Sequence, residues 1–335
     1  MPNGPADHHA SSPLDPLRSR PGALLAIGGA EDKLGRRSVL RAFVSMAGGE
    51  SARIAVVPTA SSLGPAVVEV YDATFRKLGA SEVFAARPES RDEASDPAMV
   101  ALLDDVTGIF MTGGNQLKLS AIVNGTPFGD AIRAAHERGA TVGGTSAGAS
   151  IQSSHMVAFG AGGATPKQRM TQLAAGLGLV RDCVIDQHFE QRNRYGRLLM
   201  IVAQSPSLLG IGVDEDTAAI VTEENGQQVM RVAGRGAVTI LDGRNVVSNA
   251  YEARQTAPLL ASGVVLHALT AGSAFSLTDR VLITPSQAAD RAQAEELAVA
   301  GHGLRQVARD IAADDISPSA LRRRRARRHS EGDST

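Results

Sequence analysis

Residues 108–113, GIFMTG, and residues 54–58, IAVVP, are apolar nearly throughout, without alternation of polar and apolar side chains. A strand with one wet face alternates, whereas a strand covered by helices on both faces does not. Working outward, the run LLAIGG at 24–29 precedes a helical periodicity over Arg37–Ala47, IAVVP precedes another over Ala66–Leu78, and GIFMTG closes the series. That rhythm predicts parallel β-α-β units and an α/β fold with a doubly wound, mostly parallel sheet. After the apolar segment Leu208–Val213 the spacing tightens to TAAIVTE, QQVMRVAG, GAVTILD and GVVLHALT, separated by Gly, Asn and Asp. Such turns suit antiparallel hairpins, expected to extend or flank the same sheet.

The 335 residues, 43% of them hydrophobic, suffice for one large α/β domain or two small ones. Composition divides the chain into a Pro-, Gly- and Ser-rich flexible leader (1–22), an α/β domain expected to carry the chemistry (23–284), an Ala-rich helical extension (285–316) and an Arg-rich flexible tail (317–335). Lys plus Arg number 34 and Asp plus Glu 35, so no net field draws the chain to nucleic acid or an anionic membrane. The arginines at 322–325, 327 and 328 read as a solvated tail, with a weak nucleic-acid contact as the minor alternative. Cys183 stands alone and cannot form an internal disulfide, and the first residues lack the pattern of a secretory leader. No apolar run reaches the roughly 18 to 20 residues of a membrane span. A cytoplasmic protein is expected, without zinc-type cysteine spacing or any implied metal.

The strongest chemical signal is Gly143-Gly144-Thr145-Ser146-Ala147-Gly148-Ala149, a G-x-S-x-G between the strand-like Ala140–Val142 and a short helical segment. A sharp strand-to-helix turn that thrusts a serine hydroxyl into a cleft needs small neighbours, here Gly144 and Gly148. A helix start after Ser146 would favour developing negative charge. The Ala147 N–H would be one oxyanion donor, and Gly113-Gly114, closing GIFMTGG, would supply the second, with Gly114 chosen. Alone, a G-x-S-x-G is common by chance, and glycine clusters also make ordinary turns.

A serine nucleophile needs a base. His188 ends the apolar run Val184-Ile185-Asp186-Gln187, where side chains reach a cleft, with His136, His155, His267 and His302 as rivals. The orienting acid should end another strand; Glu215 in Asp214-Glu215-Asp216 is chosen, and Asp186 is the alternative because alternation places it on the same strand face as His188. The order Ser146, His188, Glu215 departs from the Ser-Asp-His order of α/β-hydrolases and requires another fold.

Together, GGTSAGAS, MTGGNQLKLS, VIDQHFEQRNRYGRLL and GIGVDEDTA, with AIGGAEDK and VVPTASS, resemble the cyanophycinase family, relatives of peptidase E, over roughly residues 22–282. The resemblance implies a flavodoxin-like or class I glutamine amidotransferase-like fold, with Ser146 as nucleophile, His188 as base and Glu215 as third member. It also implies a substrate: cyanophycin, a polyaspartate with arginine on its side-chain carboxyls, cut by an exopeptidase to β-Asp-Arg dipeptides. Carried over by motif, Gln116, Asp186, Gln187, Arg192, Arg194 and Arg197 would form the substrate pocket. Planar guanidinium forks suit free carboxylates, and Asp186 could accept from the substrate's own guanidinium. On spacing alone, Arg194 and Arg197, one turn apart, describe an exposed helix face. The resemblance implies no cofactor and points to a homodimer. A peptidase E-like dipeptidase acting on short aspartyl peptides, and a non-catalytic protein holding an acidic ligand, are the alternatives.

Overall fold

The computed structural model describes residues 20–284 and Gln287; the rest of the expected leader, helical extension and Arg-rich tail lies outside the described residues. At the start of the described chain the Gly22 N–H donates to the His136 carbonyl at 2.9 Å. The first half runs β1 (Leu24–Ile27), α1 (Ser38–Met46), β2 (Arg53–Val57), α2 (Pro65–Lys77), β3 (Glu82–Ala85), α3 (Pro97–Ala101), β4 (Gly108–Met111), α4 (Gln116–Val123), α5 (Pro127–Glu137), β5 (Thr141–Thr145) and the single turn α6 (Ala147–Ser150). The second half runs β6 (His155–Gly160), β7 (Thr171–Ala175), β8 (Cys183–Gln187), α7 (Tyr195–Gln204), β9 (Leu209–Val213), β10 (Thr217–Glu224), β11 (Gln227–Gly234), β12 (Ala237–Asp242), β13 (Val247–Ser248), β14 (Ala261–Ser262), β15 (Val265–Thr270), β16 (Ala274–Ser276) and β17 (Val281–Ile283).

Helix starts follow local chemistry. Asp96, Asn115 and Thr126 precede α3, α4 and α5, and their side chains accept from Ala98, Lys118 and Gly129 N–H. Pro65, Pro97 and Pro127 sit at first helical positions, where the absent N–H costs nothing.

The main sheet has nine strands in the order β17-β16-β11-β10-β1-β5-β4-β2-β3. From β1 to β3 every pair is parallel, and from β1 through β10 and β11 to β16 every pair is antiparallel. The expected hairpin strands therefore extend the parallel sheet, while β12 and β15 go elsewhere: they join β9 and β8 in a four-stranded sheet, order β15-β12-β9-β8.

Burial on both faces explains the missing alternation. Leu24 and Ala26 of β1, with Ala55 and Val57 of β2, pack into one core, while Leu25, Ile27, Ile54 and Val56 pack into another on the opposite face. The second core is aromatic: Phe43 of α1 lies 5.3 Å from Phe75 of α2 and 5.1 Å from Phe110 of β4, ring centre to ring centre. This cluster occupies the space next to Gly143, where any side chain would press on the Phe43 ring. Phe43→Ala should lower unfolding stability by about 3–5 kcal/mol, read as a fall in the urea midpoint.

Candidate active site

Parallel strands present their carboxyl ends on one edge, and α/β sites form there. The register Ile27 to Thr145 and Met111 to Gly144 brings the ends of β1, β4 and β5 side by side. Ser146 follows β5 directly, with φ 52° and ψ −107°, and its N–H donates to Ile27 O at 2.9 Å. The turn closes tightly because Gly144 abuts the Gly148 backbone and Gly148 abuts the Met111 carbonyl, contacts that leave no room for a Cβ. A methyl on Gly113 would come within 3.3 Å of Ser146 Cβ, so the end of β4 lies beside the serine. Gly114, at φ 141°, is pressed onto the Ala60 carbonyl. The expected helix after Ser146 is a single turn, so its macrodipole is small; local N–H groups such as that of Ala147 remain as the electrostatic resource.

The other two members arrive from the four-stranded sheet. Parallel pairing of Gln187 with Val213 ends β8 and β9 together, so His188 and Asp214-Glu215 emerge as neighbours. His188 Nδ1 lies 2.6 Å from Glu215 Oε1, and His188 Nε2 lies 3.0 Å from Ser146 Oγ. The carboxylate fixes the proton on Nδ1, leaving the Nε2 lone pair toward the hydroxyl. Gln191 Oε1 accepts from Glu215 N–H at 3.0 Å, and Asp214 accepts from Glu190 N–H and Ala237 N–H, which anchors the loop on both sides. Burial lowers the His188 pKa from 6.5; the Glu215 hydrogen bond opposes this, and the positive charges of Arg192 and Arg194 add to the lowering.

Asp186 does not share a pocket with His188. The left-handed φ of 45° at His188 breaks the strand alternation after Gln187, and the Asp186 carboxylate turns inward, fully buried. Arg197 Nε donates to Asp186 Oδ2 at 2.6 Å, its Nη2 donates to Oδ1, and Arg194 Nη1 lies 3.3 Å from Oδ1. Asp186 thus holds two guanidinium groups of its own chain, in place of the expected substrate guanidinium. Arg194 also donates to Gln187 O and Oε1, and Arg197 to Gly160 O at 3.0 Å. These two arginines are buried, whereas Arg192 is exposed; the solvated helix face read from their spacing is absent. Gln116 is half-buried, and its Nε2 donates to Val157 O at 3.0 Å.

Of the rival histidines, His302 lies outside the described residues. His136 is largely buried, and burial lowers its pKa to about 4. Cys183, the first residue of β8, is buried with its thiol pKa pushed up by desolvation, conditions under which a thiolate does not form. One participant escaped the sequence reading: Glu31, within AIGGAEDK, is buried one residue from the turn. Its Oε2 accepts from Thr145 Oγ1 at 2.5 Å, and its Oε1 accepts from Tyr71 OH at 2.5 Å and Lys33 Nζ at 2.7 Å. Burial alone would raise its pKa; the Lys33 charge and the hydrogen bonds from Lys33, Thr145 and Tyr71 outweigh that and hold it low. An acidic residue after a Gly-Gly strand end was the visible signal, but only the fold shows that it reaches Thr145. Among the described residues no cluster of three His, Cys, Asp or Glu could hold a metal, and no helix is long and apolar enough to cross a membrane.

A serine on a strand-to-helix bend, in line with an imidazole and a carboxylate at the carboxyl edge of a flavodoxin-like sheet, defines the class as a serine-type hydrolase. The peptidase family S51 description matches residues 24–229, and the chain belongs to that family. Among curated proteins, it is 38% identical to a cyanophycinase of Nostoc sp. over 78% of this chain and 87% of that protein. It is 41% identical to a cyanophycinase of Synechococcus elongatus over 76% and 79% respectively. A peptidase from an acI-B1 actinobacterium shares the fold at a TM-score of 0.55, with 22% identity over 77% of this chain and 98% of that one.

Three outcomes follow from this geometry. If His188 is the base for Ser146, its neutral form is the competent one, and since its pKa lies below 6.5, kcat/KM should hold at neutral pH and fall only as pH drops through a midpoint under 6.5. Arg192→Gln removes a positive neighbour and should move that midpoint upward in a pH–rate profile. Asp186→Asn leaves Arg197 as an uncompensated buried charge and should cost about 3–5 kcal/mol in urea unfolding.

Proposed function

We propose that this chain hydrolyses cyanophycin as a serine-type exopeptidase, releasing β-Asp-Arg dipeptides. The observation that carries the chemistry is the unbroken chain Ser146 Oγ, His188 Nε2, His188 Nδ1, Glu215 Oε1, with contacts of 3.0 and 2.6 Å. What supports the substrate is the likeness to cyanophycinases of at least 36% identity over about three-quarters of the chain.

In the proposed cycle His188 Nε2 takes the Ser146 proton as Oγ attacks a backbone carbonyl of the polymer. Negative charge gathers on the carbonyl oxygen, facing the N–H groups of Ala147 and Gly114. Protonated His188 then gives its proton to the departing amine, leaving an acyl ester on Ser146. Water, losing a proton to His188, attacks the ester, and His188 returns that proton to Ser146 Oγ as the acyl–oxygen bond breaks and the product is freed. Glu215 holds the imidazole tautomer and stabilises the imidazolium without itself taking the proton. Gln116, Gln187, Arg192 and Arg194 bind the dipeptide being released, with Asp186 and Arg197 as the buried base of that pocket. Exposed Arg192 meets a substrate carboxylate first. A homodimer in the cytoplasm completes the reading; the family resemblance supports the dimer, and a single cysteine suits a reducing compartment.

Wild type incubated with insoluble cyanophycin should dissolve it and release β-Asp-Arg identifiable by mass. Ser146→Ala should lose at least about 10⁴-fold in turnover while still binding the polymer. Cleavage of short aspartyl peptides without polymer digestion would overturn the substrate.

A further inference from the structure

Hydrolysis of a chain requires places for both sides of the broken bond, and the residues named for the released dipeptide occupy one side only. A separate cavity of about 400 Å³ opens onto Ser146, with Thr145 and Gly113 beside it. None of Gln116, Asp186, Gln187, Arg192, Arg194 or Arg197 lines it. Its walls come from the loop after β1, the loop after β2 and α2, elements that the dipeptide pocket does not use.

The lining has a definite chemistry. Leu63, Val67 and Val70 give an apolar wall, with Leu63 and Val70 68% and 46% exposed, so the wall is reachable from solvent. Opposite stand Glu31 and Lys33, paired at 2.7 Å, and they differ in depth: the Glu31 side chain is 1% exposed and that of Lys33 is 30%. The carboxylate is spent inward on Thr145 and Tyr71, and the ammonium is the member that an entering ligand meets. An ammonium has three N–H donors, and Glu31 takes one. The Tyr71 ring, 5.1 Å from Nζ, helps to fix its position.

We propose that this cavity is the leaving-side subsite: it receives the unit whose amine departs, binding a free carboxylate of that unit through Lys33 and its aliphatic stem along Leu63, Val67 and Val70. The inference rests on the reading of Ser146 as the nucleophile of a polymer of aspartyl-arginine units. In that polymer each arginine carries a free carboxylate and a methylene stem, the pair of features that the cavity offers to bind.

The test compares two substrates. One is the two-unit peptide of β-Asp-Arg, whose departing half carries the carboxylate; the other is a single β-Asp-Arg p-nitroanilide, whose departing group does not. In Lys33→Met the ratio of kcat/KM for the peptide over the anilide should fall about tenfold, as for loss of a charge-assisted hydrogen bond, and Lys33→Arg should recover most of it. Val70→Trp, which narrows the cavity from the surface and leaves the Lys33–Glu31 pair intact, should lower the same ratio. A wild-type ratio in both folded variants, or equal losses on both substrates, would overturn the subsite while leaving the nucleophile in place. Failure of wild type to cleave either substrate is a different result, removing the underlying reading and the subsite with it.

Discussion

The backbone of Gly28 and Gly29 is the contact on which the site depends. Gly28 lies against the Asp214 carbonyl and Gly29 against the His188 ring, both so closely that a Cβ would overlap them, and Gly29 takes φ 104°. Main-chain bonds hold the seam around them: His188 N–H to Gly28 O at 2.7 Å ties the residue after β8 to the end of β1, Asp216 N–H to Gly29 O at 2.9 Å ties the β9–β10 loop to it, and Gly28 N–H to Thr217 O at 3.0 Å continues the pairing of β1 with β10. Ser146 belongs to the nine-stranded sheet and His188 with Glu215 to the four-stranded one. Ser146, His188 and Glu215 can therefore meet only if these loops approach to backbone contact. A side chain at Gly29 would press on the His188 ring and one at Gly28 on the Asp214 carbonyl, displacing the imidazole from the hydroxyl.

Charge is organised around that seam in closed sets. Asp186 faces Arg194 and Arg197, while Glu31 faces Lys33, Thr145 and Tyr71, and both carboxylates are buried. Burying an unpaired charge is expensive, so each set has every acceptor answered by a donor. What faces outward from each is a cation: Arg192 beside the first, Lys33 beside the second. A near-neutral protein thus presents positive charge on both sides of its serine, which suits a ligand bearing carboxylates.

Much of this was legible in the sequence because local rules govern it. Unalternating runs such as GIFMTG gave the parallel strands, and small residues around Ser146 gave the bend, although the strand before it runs on to Thr145 and the helix after it is one turn. His188 and Glu215 could be placed at strand ends from apolar runs alone. The direction of Asp186 could not, since alternation predicts a shared face until a left-handed residue intervenes, and histidine does not announce that conformation. The four-stranded sheet was equally hidden: β12 looks like any hairpin strand, and its choice of β9 over β11 is a long-range pairing. Glu31 was invisible as a participant because its partners Tyr71 and Thr145 are 40 and 114 residues away.

Strain and its compensation explain how the geometry is held. Ser146, His188 and Asp216 have φ of 52°, 45° and 50°, a region costing non-glycine residues of order 1–3 kcal/mol each. Three such residues bordering one seam would relax if their neighbours allowed it. They are instead over-determined: Ser146 N–H is held by Ile27 O while its own carbonyl accepts from Ala149 and Ser150, and His188 O accepts from Arg192 N–H at 3.1 Å. Asp216 adds a side-chain bond, its Oδ1 accepting from Asp32 N–H at 2.9 Å, in the loop that carries Glu31 and Lys33. The same loop therefore cradles the imidazole through Gly29, braces the strand before the serine through Glu31 and lines the cavity through Lys33. These bonds fix hydroxyl, imidazole and carboxylate in line, so that binding energy need not be spent on assembling them.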